Sequence, residues 1–294
     1  MESWFWLALA SAAIWGATGI IDKLAISRWL RNPWAYTLFF GLCDAVIVAV
    51  VFLAFPISAA LPTAVLAGVA SAAATFLYIS ALRGEEVSRI VPLQYSSPLF
   101  IAVIAAVFLK ESLNLVDYAG LLLIVGGAAA LTIRKIAGHI RILPAAILVM
   151  IASLIYAISA VLIKYTTGSA GWLSVFAWLY VGASLTYIFG SVRHVRARTL
   201  IRCFANCGRA KTAGLFLAQA GAVFAYLLLI AAFAQGPASL VAALNTVAPA
   251  FMLLYAIVLL RWHPGILEEK FTPVAIALKA GAIAAMIAGV YLIS

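Results

Sequence analysis

Two stretches of the sequence repeat one another and decide how the rest is interpreted. Residues 88–110 read SRIVPLQYSSPLFIAVIAAVFLK, and residues 239–261, which lie 151 positions later, read SLVAALNTVAPAFMLLYAIVLLR. Each stretch is apolar, has the length of a helix, and carries a side-chain amide four residues before a proline. The amides are Gln94 and Asn245, and the prolines are Pro98 and Pro249. Because proline cannot donate a hydrogen bond to the carbonyl four residues back, both helices are predicted to be kinked there.

Kinked apolar helices at matching places in two halves are typical of transporter binding sites, because they expose backbone polar groups inside the membrane. We therefore predict that Gln94 and Asn245 contact a substrate. Pro98 and Pro249 are predicted to act as the bending points of a gate. The alternative is that both prolines only shape helix packing, since proline is common in membrane helices.

The composition is that of a membrane protein. Of the 294 residues, 67% are hydrophobic and only 10% are charged, whereas about a quarter of the residues in a soluble domain are charged. A spanning helix needs about 20 mostly apolar residues. Ten such segments start near residues 3, 34, 62, 90, 116, 143, 172, 213, 240 and 273. The predicted fold class is an all-α polytopic membrane protein with ten transmembrane helices in a lipid bilayer.

The repeated stretches divide the chain into two halves. Residues 1–135 are predicted to form a first five-helix repeat, residues 136–142 a basic linker, and residues 143–294 a second repeat. Because five spans is an odd number, the second repeat must be inverted relative to the first. The charges agree, since sixteen of the nineteen Lys and Arg residues fall on one predicted side and two on the other. Basic loops stay cytoplasmic, so both termini are predicted to lie outside a plasma (inner) membrane.

The net charge of +10 is explained by the same loops. A basic excess can indicate nucleic-acid binding, but here it lies in short connections between spans, where membrane topology requires it. We predict no nucleic-acid partner, and we expect the chain to act as a monomer.

Both halves resemble a known family. Residues 14–26, IWGATGIIDKLAI, resemble the opening helix of the EamA family in the drug/metabolite transporter superfamily. Residues 98–131 resemble the fourth and fifth helices of the same family, and they read PLFIAVIAAVFLKESLNLVDYAGLLLIVGGAAAL. The motif positions are taken by Pro98, Glu111, Gly120 and Gly127. The resemblance implies secondary transport of small metabolites, often the export of amino acids or related compounds. We predict export of amino acids or related zwitterions by alternating access through a central cavity between the repeats, with no enzymatic activity and no cofactor.

Other residues in the spans are candidates for the same cavity. Asp44 is the carboxylate that the predicted boundaries place near mid-membrane, where such a group usually faces a cavity or a partner. It is a candidate for proton coupling, and a structural hydrogen bond to a neighbouring helix is the alternative. Aromatic side chains with a polar edge suit an amphipathic cavity, although packing is the alternative for each. These candidates for substrate binding are Trp15, Tyr78, Tyr156, Trp178 and Tyr226.

Several other functions are disfavoured by the residues present. A nucleotide-sugar or phosphate-sugar antiporter is the alternative within transport, but it needs basic residues in the cavity, and Lys279 is the one candidate. An intramembrane enzyme needs paired catalytic groups at membrane depth. The matched kinked helices argue against a membrane subunit that does not transport. Cys203, Cys207 and His194 have a spacing that is a weak metal signal, so no metal site is predicted.

Overall fold

The computed structural model describes residues 2–25, 29, 32–59, 61–84, 93–132, 144–195, 200, 204, 207–262 and 273–293. Within these residues every regular element is a helix. We number the helices α1 (Ser3–Leu24), α2 (Pro33–Ala54), α3 (Pro62–Gly84), α4 (Ser97–Phe108), α5 (Leu115–Thr132), α6 (Pro144–Thr167), α7 (Trp172–Val192), α8 (Arg209–Gln235), α9 (Ala238–Asn245), α10 (Ala248–Trp262) and α11 (Pro273–Leu292). The predicted linker at residues 136–142 lies outside the described residues.

Helix positions follow the apolar segments closely. Seven of the ten predicted starts fall within one residue of an observed helix start. Among the described residues, seven helical segments are long and apolar enough to cross a membrane, and three shorter apolar helices accompany them in α4, α5 and α11. The all-α polytopic fold class is therefore confirmed, and the count of ten spans in two inverted repeats stays a prediction.

Both repeated stretches are broken at equivalent places, not merely kinked. The chain leaves helical geometry at residues 95–96, before α4, and at residues 246–247, between α9 and α10. Pro98 and Pro249 are the second residues of α4 and α10. An N–H in the first turn of a helix has no acceptor within that helix. A proline there therefore removes no helical hydrogen bond. The prolines thus start new helices, and the break precedes them.

A hydroxyl group closes the turn in each break. The Ser96 hydroxyl donates to the Leu93 carbonyl over 2.6 Å, and the Thr246 hydroxyl donates to the Ala243 carbonyl over 2.6 Å. Each carbonyl also accepts from the backbone N–H of the same residue, over 3.2 Å from Ser96 and 3.0 Å from Thr246. Helices α4 and α9, which flank the two breaks, also pack against one another.

Helices α3 and α7 approach closely through two glycines. A Cβ built on Gly68 of α3 would lie 1.9 Å from the Leu179 carbonyl oxygen, and one on Gly182 of α7 would lie 2.1 Å from the Val65 carbonyl oxygen. Only glycine permits this backbone contact, which is how membrane helices gain packing without a hydrophobic driving force. The backbones of α3 and α7 are therefore in direct contact around Gly68 and Gly182, with no space between the two helices there.

Two of the three glycines of α5 bring it close to α11. A Cβ on Gly127 would lie 2.5 Å from the Met286 side chain of α11, and one on Gly120 would lie 2.9 Å from the Gly289 carbonyl of α11, whereas one on Gly126 would meet no atom within 4 Å. Gly120 and Gly127 thus hold α5 against α11, and Gly126 is on the open face of the helix.

Hydrogen bonds tie the helices together at one end of the bundle, which we call the Lys164 end. Ser3 at the start of α1 donates to the Gln235 side chain at the end of α8. The Thr166 hydroxyl at the end of α6 donates to Thr63 at the start of α3 over 2.8 Å. Lys164 donates to the Gly236 carbonyl over 2.8 Å.

Glu111 completes this end. Both of its carboxylate oxygens accept from the Ala238 N–H at 3.0 Å, at the first residue of α9. A carboxylate is favourable there because it meets the positive end of the helix dipole and an N–H that lacks a helical partner.

The opposite end, which we call the Trp34 end, has its own contacts. The hydroxyl of Tyr36 in α2 donates to Asp22 near the end of α1. The Trp34 ring stacks on His194, just beyond α7, with ring centroids 4.3 Å apart. These pairs join the end of α1, the start of α2 and the end of α7 on one side of the bundle.

Candidate functional site

A cluster of hydroxyl groups lies where α3, α6 and α7 meet. The Thr75 and Tyr156 hydroxyls are 2.6 Å apart, and the Tyr187 hydroxyl donates to Thr75 over 3.1 Å. Thr75 also donates to the Ser71 carbonyl of its own helix over 3.0 Å. All three side chains are only partly buried, although they lie within spanning helices. We name Thr75, Tyr156 and Tyr187 the hydroxyl cluster.

Helix α8 extends this polar surface. The Tyr226 hydroxyl lies beside the hydroxyls of Ser71 in α3 and Ser159 in α6. Its ring meets Tyr180 of α7 edge to face, with ring centroids 5.9 Å apart. Together with the hydroxyl cluster, these side chains form an aromatic and hydroxyl-rich surface contributed by four helices. Such a surface offers hydrogen-bond donors and acceptors without a formal charge.

Asp44 of α2 is buried and bridges to α8. The Gln219 side-chain N–H donates to an Asp44 carboxylate oxygen over 2.7 Å, and both side chains are buried. This is the interhelical hydrogen bond that the sequence offered as an alternative to proton coupling. The carboxylate also interacts electrostatically with Tyr180 and Tyr187, so it borders the same surface.

The two amide residues lie immediately before the breaks and contact helices of the other half of the chain. The Ser11 hydroxyl of α1 lies 3.2 Å from the Asn245 side-chain oxygen and 2.8 Å from the Ala225 carbonyl. In a parallel arrangement, the Ser153 hydroxyl of α6 lies 3.5 Å from the Gln94 backbone carbonyl. Both amide residues are partly buried. That they contact a substrate stays a prediction.

The remaining aromatic candidates have different surroundings. The Trp15 indole N–H is buried and has no hydrogen-bond partner among the described residues. The Trp178 N–H, in contrast, donates to the Ser58 carbonyl over 3.1 Å, beyond the end of α2. Tyr78 packs beside Val149 of α6. Trp15 thus offers a free donor, whereas the donor of Trp178 is already used.

The sequence interpretation missed several polar residues of this surface. They are Ser71, Thr75, Ser159, Tyr180, Tyr187 and Gln219. A signal for them exists, because each shares a helix face with a candidate or with another missed residue: Ser71 and Thr75 precede Tyr78 by seven and three positions, and Gln219 precedes Tyr226 by seven. Spacings of three, four and seven place side chains on one side of a helix, so polar stripes inside apolar spans would have identified them.

The cysteines and histidine do not form a metal site in the described part of the chain. No group of three metal-ligating side chains occurs there. The buried Cys207 thiol donates to the Trp29 carbonyl over 3.4 Å, and His194 stacks on Trp34. Cys203 lies outside the described residues.

Comparisons with known proteins found a curated relative and a solved structure of similar fold. A curated protein from Sinorhizobium sp., described as an uncharacterized transporter in the cobO 3' region, is 27% identical over 139 residues, which are 45% of this chain and 98% of that protein. A solved structure, described only as the crystal structure of a protein, superposes with a TM-score of 0.75 at 16% identity, covering 99% of this chain and 96% of that one. The second likeness shows a shared fold for nearly the whole chain.

The family comparison covers the first half of the chain. Residues 2–133 match the EamA-like transporter family. This match contains Thr75, Asp44 and the first break, and it confirms the resemblance seen in the sequence motifs. The similarity of this chain to the EamA-like transporter family is therefore shown for residues 2–133.

Proposed function

We propose that the chain is a secondary transporter that exports amino acids or related zwitterions by alternating access. In this proposal ten spans form two inverted repeats in a plasma (inner) membrane, with both termini outside. The observation that carries the proposal is the hydroxyl and aromatic surface that α3, α6, α7 and α8 contribute within the spanning region.

The chemistry of this surface suits a small zwitterion. Hydroxyl groups can donate to a carboxylate and accept from an ammonium group. Among the described residues that build the surface, Asp44 is the one with a charge. A phosphate group would instead call for Arg or Lys in the site, which makes a nucleotide sugar the poorer fit.

The contacts at the two ends support the ten-span topology. Each hydrogen bond at the Lys164 end joins helix ends that alternating spans put on one side of a membrane, and the same holds at the Trp34 end. Basic loops belong with the Trp34 end, so that end is the cytoplasmic one in this proposal.

Unequal packing of equivalent helix pairs supports alternating access. Gln219 stands 151 positions after Gly68, the same offset that relates the two repeated stretches. Gly68 brings α3 against the backbone of α7, whereas Gln219 reaches α2 through a side-chain bond to Asp44. A tightly packed pair in one place and a pair joined through side chains in the equivalent place fit one of the two arrangements between which inverted repeats rock during transport.

Substrate counterflow tests the proposed function. Purified protein in proteoliposomes would be preloaded with one unlabelled compound, and entry of its labelled form would be followed for neutral amino acids, charged amino acids and nucleotide sugars. We expect accumulation with zwitterionic amino acids and none with nucleotide sugars. Accumulation with nucleotide sugars alone would contradict the proposed substrate class.

Replacing Trp15 with phenylalanine is expected to weaken substrate binding while keeping the ring. An unpaired polar group costs roughly 1–3 kcal/mol, so the apparent KM in Trp15→Phe should rise about 5- to 150-fold. The same rise is expected in Gln94→Leu and Asn245→Leu. Trp178→Phe is the matched control, because its N–H already serves the Ser58 carbonyl. An equal rise in Trp178→Phe would mean that Trp15 acts through packing.

Asp44 is expected to couple transport to protons. Asp44→Asn keeps a side chain that can bond to Gln219 but removes the exchangeable charge. We expect this variant to retain counterflow and to lose accumulation driven by an imposed pH gradient. Glu111→Gln is the matched control, since Glu111 accepts from a backbone N–H at the Lys164 end. Gradient-driven uptake that survives in Asp44→Asn would leave Asp44 with a structural role.

A further inference from the structure

A crevice opens between α3 and α7 toward the Trp34 end. Its volume is about 670 Å³, which is within the usual range for ligand sites. Its lining residues are Ala73, Phe76, Leu77, Thr186, Phe189, Gly190, Val192, Arg193 and His194. Helix α3 contributes an apolar wall at spacings of three and four, and α7 contributes the other wall.

The crevice faces outward from the bundle. Phe76 forms its floor, because a Cβ on Gly190 would lie 2.7 Å from the Phe76 ring. Phe189 on the rim is 67% exposed and Val192 is 48% exposed. A spanning helix exposes such side chains to lipid tails, so the opening of the crevice is lateral.

Charge is concentrated at one end of the crevice. Arg193 is exposed and directly follows α7. His194 is held by stacking on Trp34, whose ring also lies 5.4 Å from the Phe76 ring between centroids. Tryptophan favours the level of lipid headgroups. In the sequence, Arg193 is the first of six basic residues within positions 193–211.

We propose that an anionic phospholipid binds in this crevice. One acyl chain lies along Ala73, Leu77 and Phe189, and the headgroup phosphate pairs with Arg193. Guanidinium is a strong partner for phosphate, and basic pockets between spanning helices are typical sites for anionic headgroups. A soluble anion would leave the apolar walls unused. A zwitterionic phospholipid carries the same phosphate but would also bring a choline cation beside Arg193, which is unfavourable. This site is separate from the hydroxyl cluster and does not depend on the substrate.

Native mass spectrometry of the detergent-solubilised protein tests the site. Phosphatidylglycerol and phosphatidylcholine with identical acyl chains would be titrated into the full-length protein. We expect tighter binding of phosphatidylglycerol, and we expect Arg193→Gln to weaken it about fivefold while binding of phosphatidylcholine falls less. Arg209→Gln is the matched control, because it removes the same charge at the start of α8, outside the crevice.

Two further experiments test whether a phospholipid or a soluble anion occupies the crevice. Ala73→Leu fills the crevice and should weaken binding of phosphatidylglycerol without any change of charge. Inorganic phosphate at equal concentration should not displace the lipid. Equal affinity for both lipids, an equal loss in Arg209→Gln, or displacement by inorganic phosphate would each overturn the proposal.

Discussion

Thr75→Val is expected to raise the apparent KM for substrate about 5- to 150-fold. Valine has the shape of threonine but removes the hydroxyl on which Tyr156 and Tyr187 converge. The two tyrosine hydroxyls are then no longer held in place toward a substrate, and one lost hydrogen bond to the substrate costs roughly 1–3 kcal/mol. The measurement is concentration-dependent uptake into proteoliposomes, with KM separated from kcat.

Two control variants isolate the role of this hydroxyl. Thr75→Ser retains the hydroxyl and should restore most of the affinity. Thr167→Val makes the same chemical change where the hydroxyl only bonds to the Lys164 carbonyl of its own helix, so affinity should stay at the wild-type value. A wild-type KM in Thr75→Val would show that the hydroxyl cluster does not bind substrate.

Gly68→Ala is expected to produce the largest loss of stability. The added Cβ would lie 1.9 Å from the Leu179 carbonyl oxygen, so α3 and α7 must separate. Overpacking costs typically 1–3 kcal/mol, and a contact with backbone, which cannot rotate away, belongs at the upper end of that range. At about 2–4 °C per kcal/mol for a chain of this size, we expect Tm to fall by roughly 6–12 °C in a thermal unfolding experiment.

Gly126→Ala is the matched control for this prediction. The same methyl group meets no atom within 4 Å there, and alanine favours a helix over glycine by about 1 kcal/mol. Its Tm should therefore stay constant or rise slightly. A fall of similar size in both variants would mean that the close contact of α3 and α7 does not determine stability.

The helices could be predicted from the sequence because lipid surroundings impose a simple length rule. Apolar runs located the starts of α3, α7 and α11 at the observed residues. The broken stretches were found through Pro98 and Pro249, but the position of each break was not. The breaks lie two or three residues before the prolines. Ser96 and Thr246 stand in these breaks, and their hydroxyls bond back to backbone carbonyls.

The candidate site was predicted less completely, for a physical reason. Tyr156 and Tyr226 were selected as single aromatic residues, whereas their partners Thr75 and Ser71 come from another helix. Which helices face one another depends on close contacts, such as that between Gly68 of α3 and the backbone of α7. A hydropathy pattern does not show these contacts. Asp44 was selected for its predicted depth in the membrane. Its partner Gln219 could not be identified in the same way, because it lies 175 positions away in the sequence.

Alternating access to the polar surface is the central claim, and a cysteine at position 71 tests it most directly. Ser71→Cys would be made in a variant whose Cys43, Cys203 and Cys207 are replaced by serine. A membrane-impermeant thiol reagent would then be applied from one side of proteoliposomes at a time. We expect labelling from either side, and slower labelling from both sides when a transported amino acid is present. Labelling from one side only, or at a rate that substrate does not change, would contradict the account.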